Sequence, residues 1–164
     1  MKVRIAGLVN DSIVDGTGLR FGVYVQGCPH GCRGCHNPQS HDFQGGKEMD
    51  TANIWARIEA NPLLDGLTFS GGEPMCQPAP LTELAKKAKA KGLNVWAYTG
   101  YTVEELLAKS GEVKEFLSYI DILVDGPYLE AERSLELKFR GSRNQRIIDL
   151  VQTIATGSVV EVSI

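Results

Sequence analysis

The chain has 164 residues, of which 43% are hydrophobic and 23% are charged, and its formal net charge is −3. This length and composition predict a single globular domain, residues 1–164. The negative charge excludes a protein that is held to nucleic acid by bulk positive charge. No run of about 18 apolar residues is present, so we predict no membrane-spanning helix. The first residues lack the pattern of a secretion signal, and a cytoplasmic location is the default expectation.

The first half of the chain predicts two strands and one helix. Residues 19–26 alternate and are rich in β-forming side chains, which predicts a strand. A loop rich in glycine and cysteine follows at 27–38. The apolar spacing of residues 50–60 predicts a helix that ends at Pro62. Residues 66–69 predict a second, short strand.

Helices and strands alternate through the second half of the chain. Residues 80–91 predict a helix that stops at Gly92, and residues 93–98 predict a strand. Thr102 and Glu105 have the spacing of a capping box, which predicts the start of a short helix. The remaining predicted elements are a helix at 112–119 and strands at 121–125, 146–150 and 159–162.

The alternation of strands with helices predicts the fold class. Parallel strands joined by helical crossovers give an α/β fold. A complete eight-stranded barrel needs about 250 residues, so we expect a partial, open parallel β/α barrel. Unusual residues directly follow the predicted strands, and the carboxyl ends of strands are where such folds build their sites. These residues lie at 28–35, 70–73, 99–101 and 125–126.

Three of the four cysteines lie within eight residues, at Cys28, Cys32 and Cys35, in the spacing Cys-x3-Cys-x2-Cys. In a reducing compartment, clustered cysteines are more typical of metal binding or catalysis than of disulfides. Three thiolates this close in sequence can surround one metal centre with little loss of loop entropy. The fourth, Cys76, stands far along the chain, and we expect it to behave as a small hydrophobic residue.

Three kinds of metal site fit the cysteine spacing. A structural zinc site needs four ligands, and His30 or His36 offers the fourth. A ferredoxin-type electron carrier needs four cysteines, for which Cys76 is the candidate. A 4Fe-4S cluster with three protein ligands leaves one iron open, and an open coordination position can bind a substrate.

The cysteine spacing resembles the signature of the radical S-adenosylmethionine enzymes. Residues 69–74, Phe-Ser-Gly-Gly-Glu-Pro, resemble the Gly-Gly-Glu motif of the same family. The resemblance implies the family's partial barrel, a 4Fe-4S cluster, and S-adenosylmethionine chelated to the open iron. It further implies that an electron from the cluster breaks the sulfonium bond, which gives methionine and a 5′-deoxyadenosyl radical.

Further segments resemble one branch of that family, the activating enzymes of glycyl-radical proteins, above all the anaerobic ribonucleoside-triphosphate reductase activators. These segments are 14–20, 25–28, 96–101, 122–126 and 140–146, and the resemblance runs from about residue 10 to residue 150. The implied reaction removes a hydrogen atom from a glycine Cα of a large partner enzyme. It needs a low-potential electron donor, and neither nucleic acid nor a membrane.

The resemblance also implies a role for each residue of the cysteine loop. Cys28, Cys32 and Cys35 are expected to ligate iron. Gly34 and His36, beside the third ligand, are expected to line the adenine pocket. Pyruvate formate-lyase activators tend to carry an aromatic residue where this chain has Gly34, which favours the reductase branch.

The other implied site residues follow later strands. Gly71, Gly72 and Glu73 are expected to hold the methionine end of S-adenosylmethionine. Thr99 and Asp125, at strand ends, are expected to face the same pocket, although each is equally compatible with an ordinary strand-end cap.

Two alternatives stay open from the sequence. A basic run is either a solvated face, a contact to a carboxylate or a docking patch for the partner; it consists of Lys138, Arg140, Arg143 and Arg146. The function could also be that of a pyruvate formate-lyase activator, a small-molecule enzyme such as a 7-carboxy-7-deazaguanine synthase, or a non-catalytic metal-binding module.

Overall fold

A seven-stranded sheet is the framework of the computed structural model, which describes residues 1–164. The order of the strands across the sheet is β3-β1-β2-β4-β5-β6-β7. The strands are β1 (Lys2–Ser12), β2 (Arg20–Val25), β3 (Lys47–Asp50), β4 (Gly66–Gly71), β5 (Asn94–Tyr98), β6 (Ile122–Asp125) and β7 (Arg146–Asp149).

Five α-helices connect or follow the strands. They are α1 (Thr51–Glu59), α2 (Pro78–Ala90), α3 (Val103–Leu107), α4 (Glu112–Leu117) and α5 (Leu150–Thr156). The capping box predicted at the start of α3 is present, because the Thr102 hydroxyl and the Glu105 carboxylate each accept the other residue's backbone N–H. None of the helices has the length and apolar character needed to cross a membrane.

The centre of the sheet is parallel and its edges are antiparallel. Strands β2, β4, β5 and β6 pair in parallel. On one side β1 runs antiparallel to β2 and to β3, and on the other β7 runs antiparallel to β6. Strands β3 and β7 end the sheet without pairing to each other. The predicted open, partial parallel β/α barrel is therefore confirmed, with antiparallel edges that the sequence did not indicate.

The two faces of the sheet are covered differently. Alternate side chains of β2, such as Phe21 and Val23, join a core of 25 buried residues between the sheet and the helices. Their neighbours point to the opposite face, where Trp96, Val124 and Ile147 form a second, small buried cluster. This opposite face carries most of the polar side chains near the predicted site.

A buried arginine joins three of the parallel strands on that second face. Arg20 of β2 is 1% exposed. Its Nε donates to Thr68 Oγ1 at 2.7 Å and its Nη2 donates to Asn94 Oδ1 at 2.8 Å. Burial lowers the pKa of Arg20 to about 10. A Cβ on Gly66 would lie 2.5 Å from Arg20 Nη2, so only glycine leaves room for the guanidinium there.

Several elements differ from the sequence-based predictions. Strand β1, strand β3 and helix α5 were not predicted. The predicted strand at 159–162 is wrong, because this segment makes only an isolated bridge between Glu161 and Ile148. In β1 only three of eleven residues are buried, so the strand lacks the strong apolar alternation that identifies a strand from sequence.

Candidate functional site

The cysteine loop leaves the carboxyl end of β2 and has no regular structure until the short 3-10 turn Pro38–Ser40. Three of its glycines adopt positive φ angles, which are 104° at Gly27, 60° at Gly31 and 74° at Gly34. Non-glycine residues rarely adopt such angles, so these positions let the loop reverse direction repeatedly. The Gly27 and Cys28 N–H groups donate to the carbonyls of Ser40 and His41, which anchors the start of the loop.

All three loop cysteines are free thiols of intermediate exposure. Burial raises the pKa of the Cys28 thiol, and the nearby Glu73, Cys32 and Cys35 raise it further. The Asn37 N–H donates to Cys35 Sγ at 3.4 Å. No group of three His, Cys, Asp or Glu side chains is arranged around a single ion. A 4Fe-4S cluster does not need the thiolates to meet at one ion, because each thiolate binds its own iron atom. Three free thiols, one of which accepts a hydrogen bond from an amide, fit such a cluster.

Glu73 lies directly beside this loop, at the end of β4, and its side chain is fully buried. Its Oε1 accepts from His30 Nε2 at 2.6 Å and from the Gly100 N–H at 2.8 Å. Its Oε2 accepts from the Met75 N–H at 3.0 Å, and the Thr99 hydroxyl lies 2.9–3.0 Å from both oxygens. The structure therefore places Glu73 and Thr99, both predicted to face the cofactor pocket, in direct contact with each other.

The two glycines before Glu73 belong to the same strand end. Gly71 closes β4 with a φ of 93°. A Cβ on Gly72 would lie 2.4 Å from the Gly27 carbonyl oxygen, so glycine is required where this segment passes the cysteine loop. The Gly72 carbonyl oxygen accepts no hydrogen bond from the chain. This oxygen is a free acceptor next to the cysteine loop.

Gly34 and His36 face a segment that follows β6, here called the covering segment (residues 126–145). The rings of His36 and Tyr128 lie 5.0 Å apart between centroids. A Cβ on Gly34 would lie 3.0 Å from the Glu130 carboxyl carbon, and a Cβ on Gly141 would lie 3.4 Å from His36 Cε1. Both sequence-predicted residues thus line a boundary between the cysteine loop and the covering segment.

A cavity of about 600 Å³ lies between the second face of the sheet and these two loops. Its lining includes Tyr24, Cys35, His36, Ser70, Tyr98 and Arg140. Burial raises the pKa of Tyr98, and burial together with the Asp15 carboxylate raises the pKa of Tyr24. Both phenols stay protonated at neutral pH. The Tyr24 hydroxyl donates to the Asp15 carboxylate, so the Tyr98 hydroxyl is the one with a hydrogen to offer to what enters the cavity.

The sequence analysis missed Tyr24, Ser70 and Tyr98 as lining residues. The signal that could have found them is the alternation of each strand, which places them on the face opposite Val23, Phe69 and Ala97.

Two carboxamide side chains join the two ends of the covering segment to each other. Asn144 Nδ2 donates to the Pro127 carbonyl at 2.7 Å, and Gln145 Nε2 donates to the Gly126 carbonyl at 3.1 Å. Gln145 Oε1 also accepts the Gly141 N–H at 2.9 Å. These residues belong to the motif at 140–146, whose role here is to shape the wall of the cavity.

Asp125 lies apart from Glu73, in a network of its own. Its carboxylate is buried and accepts from Arg146 Nε at 3.0 Å, Arg146 Nη2 at 2.6 Å and the Val103 N–H at 2.8 Å. Arg146 Nη2 also donates to Glu104 at 2.6 Å. These contacts match the alternative considered for this residue, a strand-end cap.

The predicted basic run is not one surface. Arg146 is paired internally with Asp125, and Arg140 Nη1 donates to the Gln145 carbonyl at 2.9 Å. Lys138 and Arg143 remain exposed. A solvated face, one of the three interpretations of this run, therefore describes only Lys138 and Arg143.

Cys76 lies on the turn Pro74–Cys76, outside the cysteine loop, and is exposed. Burial of part of its side chain raises its pKa, and the charges of Glu73 and Cys28 contribute. The Cys76 thiol therefore lies near Cys28, although it follows β4 whereas Cys28 follows β2. Because it is exposed, it does not act as a buried small hydrophobic residue.

Several known proteins have sequences similar to that of this chain. A family model described as a 4Fe-4S single cluster domain matches residues 14–148. An anaerobic ribonucleoside-triphosphate reductase-activating protein of Pasteurella multocida is 36% identical over 153 residues, which cover 85% of this chain and 93% of that protein. The chain belongs to this family of activating proteins.

Other members of the activating-protein family are nearly as similar. The protein of the same name from Enterobacteria phage T4 is 33% identical over 143 residues, 82% of this chain and 86% of that protein. Among solved structures, QueE from Escherichia coli matches with a TM-score of 0.47 and 18% identity over 62% of this chain and 54% of that chain. Membership confirms the resemblance found in the sequence and the iron–sulfur domain.

Proposed function

We propose that this chain is a radical S-adenosylmethionine enzyme that generates a glycyl radical on a large partner, the anaerobic ribonucleoside-triphosphate reductase. One observation carries the proposal: in a member of the activating-protein family, three free thiols lie in a loop that opens onto a cavity of about 600 Å³. The same loop packs against the Gly-Gly-Glu segment at the end of β4.

The thiolates of Cys28, Cys32 and Cys35 would hold the 4Fe-4S cluster. When bound, the cluster supplies the electron that cleaves the sulfonium bond of S-adenosylmethionine. Amide donors to sulfur help to set the potential of iron–sulfur clusters, and the Asn37 N–H already donates to Cys35 Sγ. The chain therefore contributes both the ligands and part of their hydrogen bonding.

S-adenosylmethionine would lie across the cavity, with its methionine end at the segment Gly71–Glu73. The free carbonyl oxygen of Gly72 is a suitable acceptor for the amino group. Its adenine end would lie beside Gly34 and His36, where the rings of His36 and Tyr128 supply an aromatic wall. Thr99 would support this site through Glu73, whereas Asp125, bonded to Arg146, lies outside it.

The partner's glycine loop would enter from the open side of the sheet. Ile13 and Val14 line the cavity there and are 74% and 70% exposed, which is unusual for large apolar side chains. A protein segment needs such an opening, whereas a small substrate is better held in a closed pocket. The reaction also requires a low-potential electron donor and a reducing compartment, and we propose the cytoplasm. Nucleic acid and membrane have no role in it.

The test is a cleavage assay without oxygen. The purified chain is reconstituted with iron and sulfide, reduced and mixed with S-adenosylmethionine, and 5′-deoxyadenosine is measured. We expect product from the wild type and from Cys76→Ala, which keeps the full iron load, and none from Cys32→Ala, which loses the cluster. Equal iron loss in both variants would support a four-cysteine electron carrier instead, and zinc without iron would indicate a structural metal site.

A second assay tests the partner. The loaded chain is incubated with the anaerobic reductase, and the glycyl radical is detected by electron paramagnetic resonance. Cleavage of S-adenosylmethionine without a radical on the reductase would keep the radical chemistry and reject this partner.

A further inference from the structure

His30 is the one residue between Cys28 and Cys32 whose side chain is anchored outside the cysteine loop. Its Nε2 lies 2.6 Å from Glu73 Oε1, across 43 residues of sequence. The tautomer of His30 with its hydrogen on Nε2 donates to this carboxylate oxygen. Only 17% of the His30 side chain is exposed, which makes this a largely desolvated contact.

The end of β5 is shaped to receive the imidazole. A Cβ on Gly100 would lie 2.5 Å from His30 Cδ2, although the φ of Gly100 is not in the left-handed region. Glycine is therefore needed at position 100 for space and not for backbone conformation. The Tyr101 ring packs edge-to-face against His30, with 4.6 Å between the ring centroids.

The carboxylate that holds His30 has no spare capacity. Four donors converge on its two oxygens: the His30 ring, the Thr99 hydroxyl and the N–H groups of Met75 and Gly100. A buried carboxylate that already has four donors is not free to receive the ammonium group of a ligand. The neighbouring Gly72 carbonyl, by contrast, accepts no hydrogen bond.

We propose that His30 is a positioning residue for the iron–sulfur cluster and that Glu73 holds the cysteine loop, not the ligand's amine. His30, Glu73, Thr99 and Gly100 form one unit, the His30 clamp, which joins the loop after β2 to the ends of β4 and β5. The inference rests on one part of the proposed function, namely that the cysteine loop binds the cluster. It accounts for the motifs at 69–74 and 96–101 as two halves of one support.

Residues behind metal ligands commonly change metal affinity by about 10- to 100-fold when they are replaced. His30→Phe keeps an aromatic ring and removes the donor, whereas His30→Gln keeps an N–H donor. We expect His30→Phe to lose its cluster to a chelator about tenfold faster than the wild type, with an altered electron paramagnetic resonance spectrum of the reduced cluster. His30→Gln should restore most of both properties, and the control Lys91→Gln, at an exposed position just after α2, should leave them unchanged.

A double-variant comparison separates the clamp from a direct ligand contact. In the clamp, Glu73→Gln acts on the same contact as His30→Phe, so the double variant loses its cluster no faster than the worse single variant. His30→Phe and Glu73→Gln should then change the affinity for S-adenosylmethionine by similar factors. Glu73→Gln that weakens S-adenosylmethionine binding but loses its cluster at the wild-type rate would overturn the proposal and assign the carboxylate to the amine.

Gly100→Ala disturbs the same contact from the side of β5, and it can replace His30→Phe in the test if that variant does not fold. Its new methyl group displaces the imidazole, and faster cluster loss is expected while circular dichroism stays that of the wild type. Wild-type cluster loss in either folded variant would reject the clamp. Because cluster loss is measured without S-adenosylmethionine, a wild type that binds the cluster but cleaves nothing would reject the proposed function and leave this test intact.

Discussion

Asp125 and Arg146 form a buried ion pair at the junction of β6, α3 and β7. The Asp125 side chain is 1% exposed and that of Arg146 is 27% exposed. The carboxylate accepts three hydrogen bonds, and the guanidinium extends to the exposed Glu104 on its outer side. The side-chain hydrogen bonds of Asp125 and Glu104 raise the pKa of Arg146, so the arginine is charged at every practical pH.

We predict that Arg146→Met lowers the free energy of unfolding by about 3 kcal/mol, because it leaves the buried Asp125 charge without its partner. Urea unfolding followed by circular dichroism is the measurement. Glu104→Gln removes only the exposed partner and should cost less than about 1 kcal/mol. Equal losses in the two variants would show that the pair with Asp125 is not the stabilising one.

At the scale of elements, Arg20 joins β2, β4 and β5 without a carboxylate partner. Its guanidinium donates to Thr68, to Asn94 and to the carbonyl oxygens of Thr17 and Leu67. It also lies over the Trp96 ring, 5.4 Å from its centroid. Dipoles and an aromatic face stabilise the charge, but burial outweighs them and lowers the pKa of Arg20 to about 10.

We predict that Arg20→Met lowers the free energy of unfolding by about 3 kcal/mol, because oxygens on β4, β5 and the turn at Thr17 lose their donor. Arg57→Met, on the exposed side of α1, is the matched control and should stay within about 0.5 kcal/mol of the wild type. Chemical denaturation of both variants gives the comparison. A loss in Arg20→Met no larger than in the control would mean that water replaces the guanidinium in the folded state.

The predictability of each element follows from its burial. Strands β2, β4, β5 and β6 were predicted because they are largely buried and rich in apolar β-forming residues, which either alternate, as in β2, or run together, as in β6. Strand β3 has no fully buried residue, so nothing in its pattern distinguishes it from a loop. The cysteine loop and the Gly-Gly-Glu segment were found because their residues are contiguous.

Contacts between distant segments could not be predicted in this way. His30 and Glu73 were each noticed in the sequence, but as a candidate zinc ligand and a candidate ligand of the methionine end. Their hydrogen bond depends on the register of β2 against β4, where Val25 pairs with Gly71. Asp125 was placed in the cofactor pocket on its position after a strand, and only the antiparallel pairing of β7 brings Arg146 beside it.

At the scale of the whole molecule, one sheet carries both buried clusters, and this predicts a single cooperative unit. Trp55 packs against the core between sheet and helices, whereas Trp96 belongs to the cluster on the opposite face. Trp55→Phe and Trp96→Phe each leave one tryptophan to report one face. We expect the two fluorescence transitions of the cluster-free chain in urea to coincide with each other and with circular dichroism. Separate transitions would divide residues 1–164 into more than one domain.

The cavity has a wall made of loop where a closed barrel would have strands. The covering segment is held at its two ends, by Asn144 and Gln145 bonded to the carbonyls of Pro127 and Gly126. Residues between these anchors can change in length or sequence without moving any strand register. The strands that carry the cysteine loop can therefore stay fixed while those residues of the covering segment that do not contact Gly34 and His36 change. An insert between these fixed ends changes the entrance to the cavity and leaves the strands in place.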